Sequence, residues 1–219
     1  MPAPPATGTS RTHWRARLAG RMLGLYLRLV ARTARIGPMT RTQAVLAFWH
    51  EYNLALFVVA SARRGDLPHA SFTTATPRGT VIRTIFESLA RGPVAVLPLP
   101  DERDAATTRA LARRLGDLGA SGYSLVITPD GPWGPYRVAK PGALVVARQS
   151  GLPILPLAVL ARPAFRIARR WDRQLVPLPF SRISVVAGKS ISVGPRERVR
   201  AMLAGLQRSL DEVTARTDA

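Results

Sequence analysis

A chain of 219 residues is long enough for one substantial core and too short for two full domains, so a single domain is expected. Lys and Arg number 32 against 13 Asp and Glu; the net charge of +19, carried mostly by Arg, suits a polyanionic partner such as nucleic acid or an anionic membrane surface. The absence of cysteine excludes a disulfide scaffold and thiolate metal sites.

Residues 1 to 11, rich in Pro, Ala, Thr and Gly, carry too little apolar content to order themselves and are expected to form a tail. No compact apolar segment precedes a small-residue cleavage site here, so no signal peptide is expected. From Thr12 to Ile36 proline is absent and helix formers dominate. At about 100° per residue Arg17, Arg21, Arg28 and Arg35 fall within an arc of roughly 40°. Trp14, Leu18, Met22, Leu25 and Leu29 line an adjoining face, which Leu23, Tyr26, Leu27 and Val30 widen. A broad apolar face with an Arg edge and a Trp fits a helix lying in the headgroup layer of a membrane. The competing reading is a helix docked on the domain's own core with solvated arginines.

Gly37-Pro38 ends this helix, and residues 38 to 219 are expected to form the domain proper. Ala44 to Trp49 reads as a buried strand ending at His50, followed by a helix over Asn53 to Arg64. Next come a short strand near His69 to Thr73, a helix near Thr80 to Arg91, a strand near Val94 to Leu97 and a long helix from Asp104 to Leu118. Leu125 to Thr128 is a further strand, Gly142 to Ser150 a helix and Ile154 to Leu160 a strand. Ile183 to Val193 reads as a strand or hairpin, and Arg196 to Arg216 as a closing amphipathic helix. Strands alternating with helices imply an α/β fold whose mostly parallel sheet is covered by helices on both faces. No apolar run reaches the roughly 18 to 20 residues that span a bilayer. The best candidate, Ala44 to Ala60, is interrupted by His50-Glu51-Tyr52-Asn53.

The stretch Leu125-Val-Ile-Thr-Pro-Asp-Gly-Pro-Trp-Gly-Pro-Tyr136 runs from an apolar strand into a rigid Pro/Gly turn carrying Asp130. In open α/β sheets that end of a strand is where ligands bind, and the competing reading is a rigid surface turn with an ordinary Asp. His50 is the one imidazole at the C-terminal end of an expected buried strand, beside Glu51, and is the best general-base candidate. Its bland alternative is a structural histidine. His13 and His69 receive no role. Three scattered His, no Cys and no H-E-x-x-H leave metal chemistry unsupported. Ser121 does not sit in a G-x-S-x-G elbow. Gly188-Lys189-Ser190 lacks the Gly five positions earlier that a phosphate loop requires, since Ile183 stands there. No stacking aromatic cluster or zinc finger supports nucleic-acid binding beyond the charge itself.

Phe48-Trp-His50, Ile127-Thr-Pro-Asp-Gly-Pro-Trp-Gly-Pro135, Lys140-Pro-Gly-Ala143 and Ala147-Arg-Gln-Ser-Gly-Leu-Pro-Ile-Leu-Pro156 together resemble the lysophospholipid acyltransferase superfamily. The closer likeness is to its uncharacterised bacterial branch related to the lipid A secondary acyltransferases. Trp171-Asp172, Pro177-Leu-Pro-Phe180 and Val185-Val-Ala-Gly188 extend the resemblance, which covers about residues 44 to 193. It implies a glycerolipid acyltransferase-like fold and transfer of a fatty acyl group to a hydroxyl of a membrane lysophospholipid or lipid A-type acceptor. The donor would be a thioester on acyl carrier protein or coenzyme A. The resemblance further implies that a histidine, here His50, deprotonates the acceptor hydroxyl, which attacks directly, with no covalent enzyme intermediate. No cofactor is implied. The expected location is peripheral, on the cytoplasmic face of the membrane. The family's F-P-E-G-T-R block corresponds to Thr128-Pro-Asp-Gly-Pro-Trp133, so Asp130 stands for the Glu and Gly131 keeps the turn.

The sequence departs from the family in three places. The family's H-x-x-x-x-D has Ala55 at the acid position. The acid-bearing R-D-G-E-like segment of the bacterial branch reads Thr74-Ala-Thr-Pro-Arg-Gly-Thr80. Glu51 or Asp66 is left to orient the imidazole. Trp133 replaces the phosphate-binding Arg, leaving Arg137, Lys140, Arg78 or Arg103 for that task. The expected catalytic residues are thus His50, Glu51 and Asp130. The expected substrate contacts are Thr128, Pro129, Gly131, Pro132, Trp133, Gly134, Arg137, Lys140, Arg78, Arg103 and Pro153, with Pro156 an alternative to Pro153. The rivals are a protein of the same fold that binds lipid with weakened or lost catalysis, and a basic nucleic-acid-binding protein.

Overall fold

The computed structural model describes residues 9–38, 42–62, 68–90, 92–99 and 105–218. Of the tail expected over residues 1–11, residues 1–8 lie outside them, as do Asp66 and Arg103, while residues 9–11 begin the first helix. Helix α1 (Thr9–Thr33) leads into a two-residue edge strand β1 (Arg35–Ile36), then β2 (Val45–Ala47) and α2 (Asn53–Ala62). After these come β3 (His69–Thr74), α3 (Pro77–Leu89), β4 (Val94–Leu99), α4 (Ala105–Ala120) and β5 (Ser124–Ile127). The chain closes with α5 (Gly142–Ser150), β6 (Ile154–Arg166), β7 (Leu175–Ala187) and α6 (Val199–Asp218).

The strands form one sheet in the order β1-β7-β6-β2-β5-β3-β4. Every pairing is parallel except β6 with β7. The central strand β2 is buried at all three residues, which is why its sequence is an uninterrupted apolar run rather than an alternation. Helices α1, α2 and α3 pack together on one face of the sheet, and α4, α5 and α6 on the other. The result is the expected three-layer α/β domain with a mostly parallel sheet.

Helix α1 belongs to this core: Leu27 and Val30 are fully buried. Its approach to α3 is so close that a Cβ on Gly20 would come within 2.8 Å of Thr84. Yet Trp14, Leu18, Met22, Leu25 and Leu29 are about half exposed, on the opposite side from the buried residues. No helix among the described residues is long and apolar enough to cross a membrane.

Three elements differ from expectation, the first being Arg35–Ile36, expected at the end of the first helix, which instead pairs as β1 with Arg182 and Ile183 of β7. Helix α3 begins at Pro77 rather than Thr80, because Thr76 caps it by accepting from the Gly79 N–H at 3.3 Å and proline suits the first helical position. The strand or hairpin expected over Ile183 to Val193 is the far arm of a long hairpin in which β6 runs to Arg166 and β7 starts at Leu175. Prolines at 163, 177 and 179 argue against a strand there. The sheet accommodates them where the register shifts between Arg162 and Ala164.

Candidate functional site

Parallel pairing of β2 with β5 puts Ala47 opposite Ile127, so both strands end at the same level. His50 follows the end of β2 in a 3-10 turn (His50–Tyr52), and Thr128 follows the end of β5. Strand alternation turns Leu125 and Ile127 to the side of α4 and α5, and Val126 and Thr128 to the side of α1 to α3. Asp130 sits in the turn just beyond, fully buried, and its Oδ1 lies 2.7 Å from His50 Nδ1. The His50 backbone N–H also donates to both Asp130 carboxylate oxygens, at 3.3 Å each. A carboxylate only accepts, so Nδ1 carries a proton, and in the neutral imidazole Nε2 presents a lone pair. The Thr128 hydroxyl, 3.1 Å from Nε2, is then the donor in that bond.

The loop that holds Asp130 is fixed from several sides. Gly131 and Gly134 have φ of +69° and +70°, a region costly for other residues. A Cβ on Gly134 would meet the Trp171 ring at 2.8 Å. Lys140 donates from Nζ to the Gly134 carbonyl at 2.6 Å and from its backbone N to the Pro129 carbonyl at 2.8 Å. From α6, Gln207 accepts from Ala139 N at 2.7 Å and donates to the Arg137 carbonyl at 3.0 Å.

The β6–β7 hairpin closes the other side. Trp171 packs against the imidazole with ring centroids 5.2 Å apart. Gln174 donates from Nε2 to the His50 carbonyl and, at 2.9 Å, to Asp172. Both partners are acceptors, which fixes the amide's orientation and leaves Gln174 Oε1 buried without a partner among the described residues. Arg170 forks onto Asp172 at 2.8 and 2.7 Å. Burial works against ionised Asp172, but the hydrogen bonds from Arg170 and Gln174 outweigh it and hold its pKa below the ordinary value.

Behind the histidine lies a second, separate charge cluster. Glu51 is fully buried and accepts from Arg137 Nε at 2.6 Å, from Tyr136 at 3.0 Å and from Arg166. Asp218 of α6 bridges the same two arginines at 3.3 and 3.6 Å. Burial, then the charge of Glu51, pushes the Tyr136 phenol up to about 12.

His50 and Thr128 open onto a cavity of about 860 Å³ between the sheet and α1, α2 and α3. Leu23, Leu54, Phe57, Val81, Ile82 and Phe86 make its wall largely apolar, and Arg78 and Arg170 supply cations. Gly79 is required at its edge, since a Cβ there would come within 1.8 Å of the Thr74 carbonyl oxygen.

The expected site residues therefore divide. His50, Thr128 and Asp130 meet. Gly131, Pro129, Gly134 and Lys140 shape the loop, while Pro132 and Arg78 line the cavity. Trp133 is half exposed on the surface. Glu51 does not orient the imidazole: a side chain adjoining the histidine in the turn points away from it, into the arginine cluster, and that cluster also takes up Arg137. Pro153 is not at the site, because it precedes β6 and its carbonyl accepts from Val45 N at the start of β2, the opposite end from His50. Gln174, Arg166 and Gln207 were missed; the Trp171-Asp172 pair was the available signal for the hairpin end, but long-range polar contacts leave no spacing pattern in the sequence.

The fold and site define an α/β domain with a histidine–carboxylate dyad at the C-terminal ends of parallel strands, facing an apolar cavity. No family model matches the sequence. The chain is similar to an uncharacterised protein of Rickettsia prowazekii (strain Madrid E), with 29% identity over 84 residues; the match covers 38% of each chain, so little more than a third of that relative's length is spanned. Among solved structures, it is similar to the crystal structure of the 1-acyl-sn-glycerophosphate acyltransferase of Thermotoga maritima. That alignment covers 94% of this chain and 84% of the other at 12% identity and a TM-score of 0.45, too low to carry the fold assignment, which stands on the strand order above.

Proposed function

We propose that the protein is an O-acyltransferase that moves a fatty acyl group from a thioester to a hydroxyl of a membrane lipid, with His50 as general base. The observation that carries this reading is the His50–Asp130 contact of 2.7 Å opening onto the 860 Å³ apolar cavity. A base held in one tautomer takes a proton from a hydroxyl, and an apolar cavity beside it suits a fatty chain. The sequence resemblance to lysophospholipid acyltransferases agrees with both. Asp130 supplies the orienting acid that the family spacing places at Ala55, which favours a competent enzyme over a lipid-binding protein with lost catalysis.

The surface fits the same reading. The exposed apolar stripe of α1 from Trp14 to Leu29, flanked by exposed Arg17, Arg21 and Arg28, suits a peripheral helix on an anionic membrane. Leu23 and Tyr26 of this helix line the cavity, so a lipid acceptor would enter from the membrane side. An acidic carrier protein or coenzyme A suits a chain of net charge +19.

Purified protein incubated with a radiolabelled acyl thioester and lysophospholipid vesicles should form labelled diacyl lipid, and His50→Ala should lower the rate by about a thousandfold or more. Equal turnover in mutant and wild type would remove the catalytic assignment.

A further inference from the structure

Resting on the acyltransfer reading, we propose that Arg35, Arg182 and Arg162 form a docking surface for an acidic helix of the carrier protein that brings the acyl thioester. The three stand side by side on adjacent strands: Arg182 of β7 is the register partner of Arg35 in β1 on one side and of Arg162 in β6 on the other. Register partners share a face of the sheet, and neighbouring strands lie about 4.8 Å apart, so three guanidinium groups project as one row. All three residues are exposed, and none has a hydrogen bond or ion pair with another described residue. Like charges directly opposite each other destabilise a sheet, and here two such pairs adjoin with no carboxylate between them among the described residues. Blunting an edge against other strands accounts for Arg35 alone, because β7 and β6 lie inside the sheet. A row kept at a cost to the fold calls for an anionic partner.

The row faces away from α1. Leu157 of β6 lines a small apolar pocket with Phe57 of α2 and Phe86 of α3, and alternation from Leu157 keeps Ala161 on that side and turns Arg162 to the other. Ala161, Ile183 and Ile36 make the neighbouring inward row. A face turned from the exposed stripe of α1 stays open to a soluble partner while that stripe rests on a membrane. An α-helix rises about 5.4 Å per turn, close to the spacing of strands, so a helix laid across the three strands offers one carboxylate per turn to each arginine. The planar guanidinium fits a carboxylate through two parallel hydrogen bonds. The row is also near the cavity: Leu178, which lines it, is four residues before Arg182 on β7, at most about 14 Å away. A thioester on a flexible prosthetic arm crosses that distance from a helix docked on the row. Net charge alone suits either donor; the row favours the protein.

The test uses the full chain, anionic vesicles containing lysophospholipid, and two donors, palmitoyl-acyl carrier protein and palmitoyl-coenzyme A. Arg35→Gln, Arg162→Gln and Arg182→Gln combined should lower kcat/KM for the carrier-protein donor by about tenfold or more, through KM, with kcat and Tm unchanged. Turnover of palmitoyl-coenzyme A and sedimentation with the vesicles should stay within about twofold of wild type. Carrier protein without its acyl group should inhibit the wild type competitively and the variant about tenfold less, and rising salt should erase the difference. Wild type that turns over palmitoyl-coenzyme A but not the carrier-protein donor, or a variant that uses both donors as wild type does, would overturn the inference and leave the acyltransfer reading standing. A variant slowed equally with both donors would overturn it as well, and so would one that no longer sediments with vesicles, which would assign the row to lipid. Wild type that acylates no lysolipid from either donor would overturn both.

Discussion

A fully buried carboxylate against one ring nitrogen decides what the other nitrogen can do. Replacing Asp130 by Asn keeps the shape but offers an N–H as well as a carbonyl to His50 Nδ1, so the tautomer is no longer dictated. Asp130→Asn is expected to fold, with a circular dichroism spectrum like wild type, and to lose about three to four orders of magnitude in transfer rate. Gly134→Ala tests the loop: a left-handed φ of +70° and a contact at 2.8 Å with Trp171 both oppose it. A loss of about 1 to 3 kcal/mol in denaturant unfolding is expected. Asp172 makes a statement about pH. Its folded pKa lies below the unfolded one, so its contribution is complete above about pH 4 and is lost as pH falls through the lowered value. Asp172→Asn should therefore flatten the fall of Tm on acidification below about pH 4.

At the scale of elements, α1 carries two apolar faces, one buried in the core and one exposed. Leu27 is wholly buried, and Leu27→Ala should cost about 2 to 5 kcal/mol. Met22, at 61% exposure, should give a change within about 0.5 kcal/mol when replaced by Ser. The proposed docking predicts the reverse order for sedimentation with anionic vesicles. A Leu18, Met22 and Leu25 triple replacement by Ser should lose vesicle binding at unchanged Tm, and undiminished binding would remove the anchoring role. The sequence made this helix legible as amphipathic, but its periodicity could not separate the face that meets the core from the face that meets the outside, since both are leucine-rich. Strands β2 and β5 were legible for a related reason: burial on both faces writes itself as an apolar run. The β6–β7 hairpin was only half legible, because proline reads as an interruption unless the bulge that absorbs it is known. Within the site, His50 and Asp130 were visible as strand-end residues. Their mutual contact was not, being set by strand order, and Glu51 was misplaced because adjacency in sequence says nothing about which way a turn sends a side chain.

At the scale of the molecule, the net charge of +19 predicts vesicle binding that weakens as salt rises, with the steepest loss for membranes rich in anionic lipid. The arrangement of the site carries a further consequence. His50, the 128 to 140 loop and Gln174 come from three distant parts of the chain, and the His50 carbonyl meets Gln174 across 124 residues. Contacts so distant in sequence belong to the folded domain, and the unfolded chain offers an acyl ligand nothing comparable. A ligand that fits the cavity becomes a thermodynamic brace for the whole domain: a non-hydrolysable acyl thioester analogue at a hundred times its Kd should add about 2.7 kcal/mol to global stability, readable as a rise in Tm.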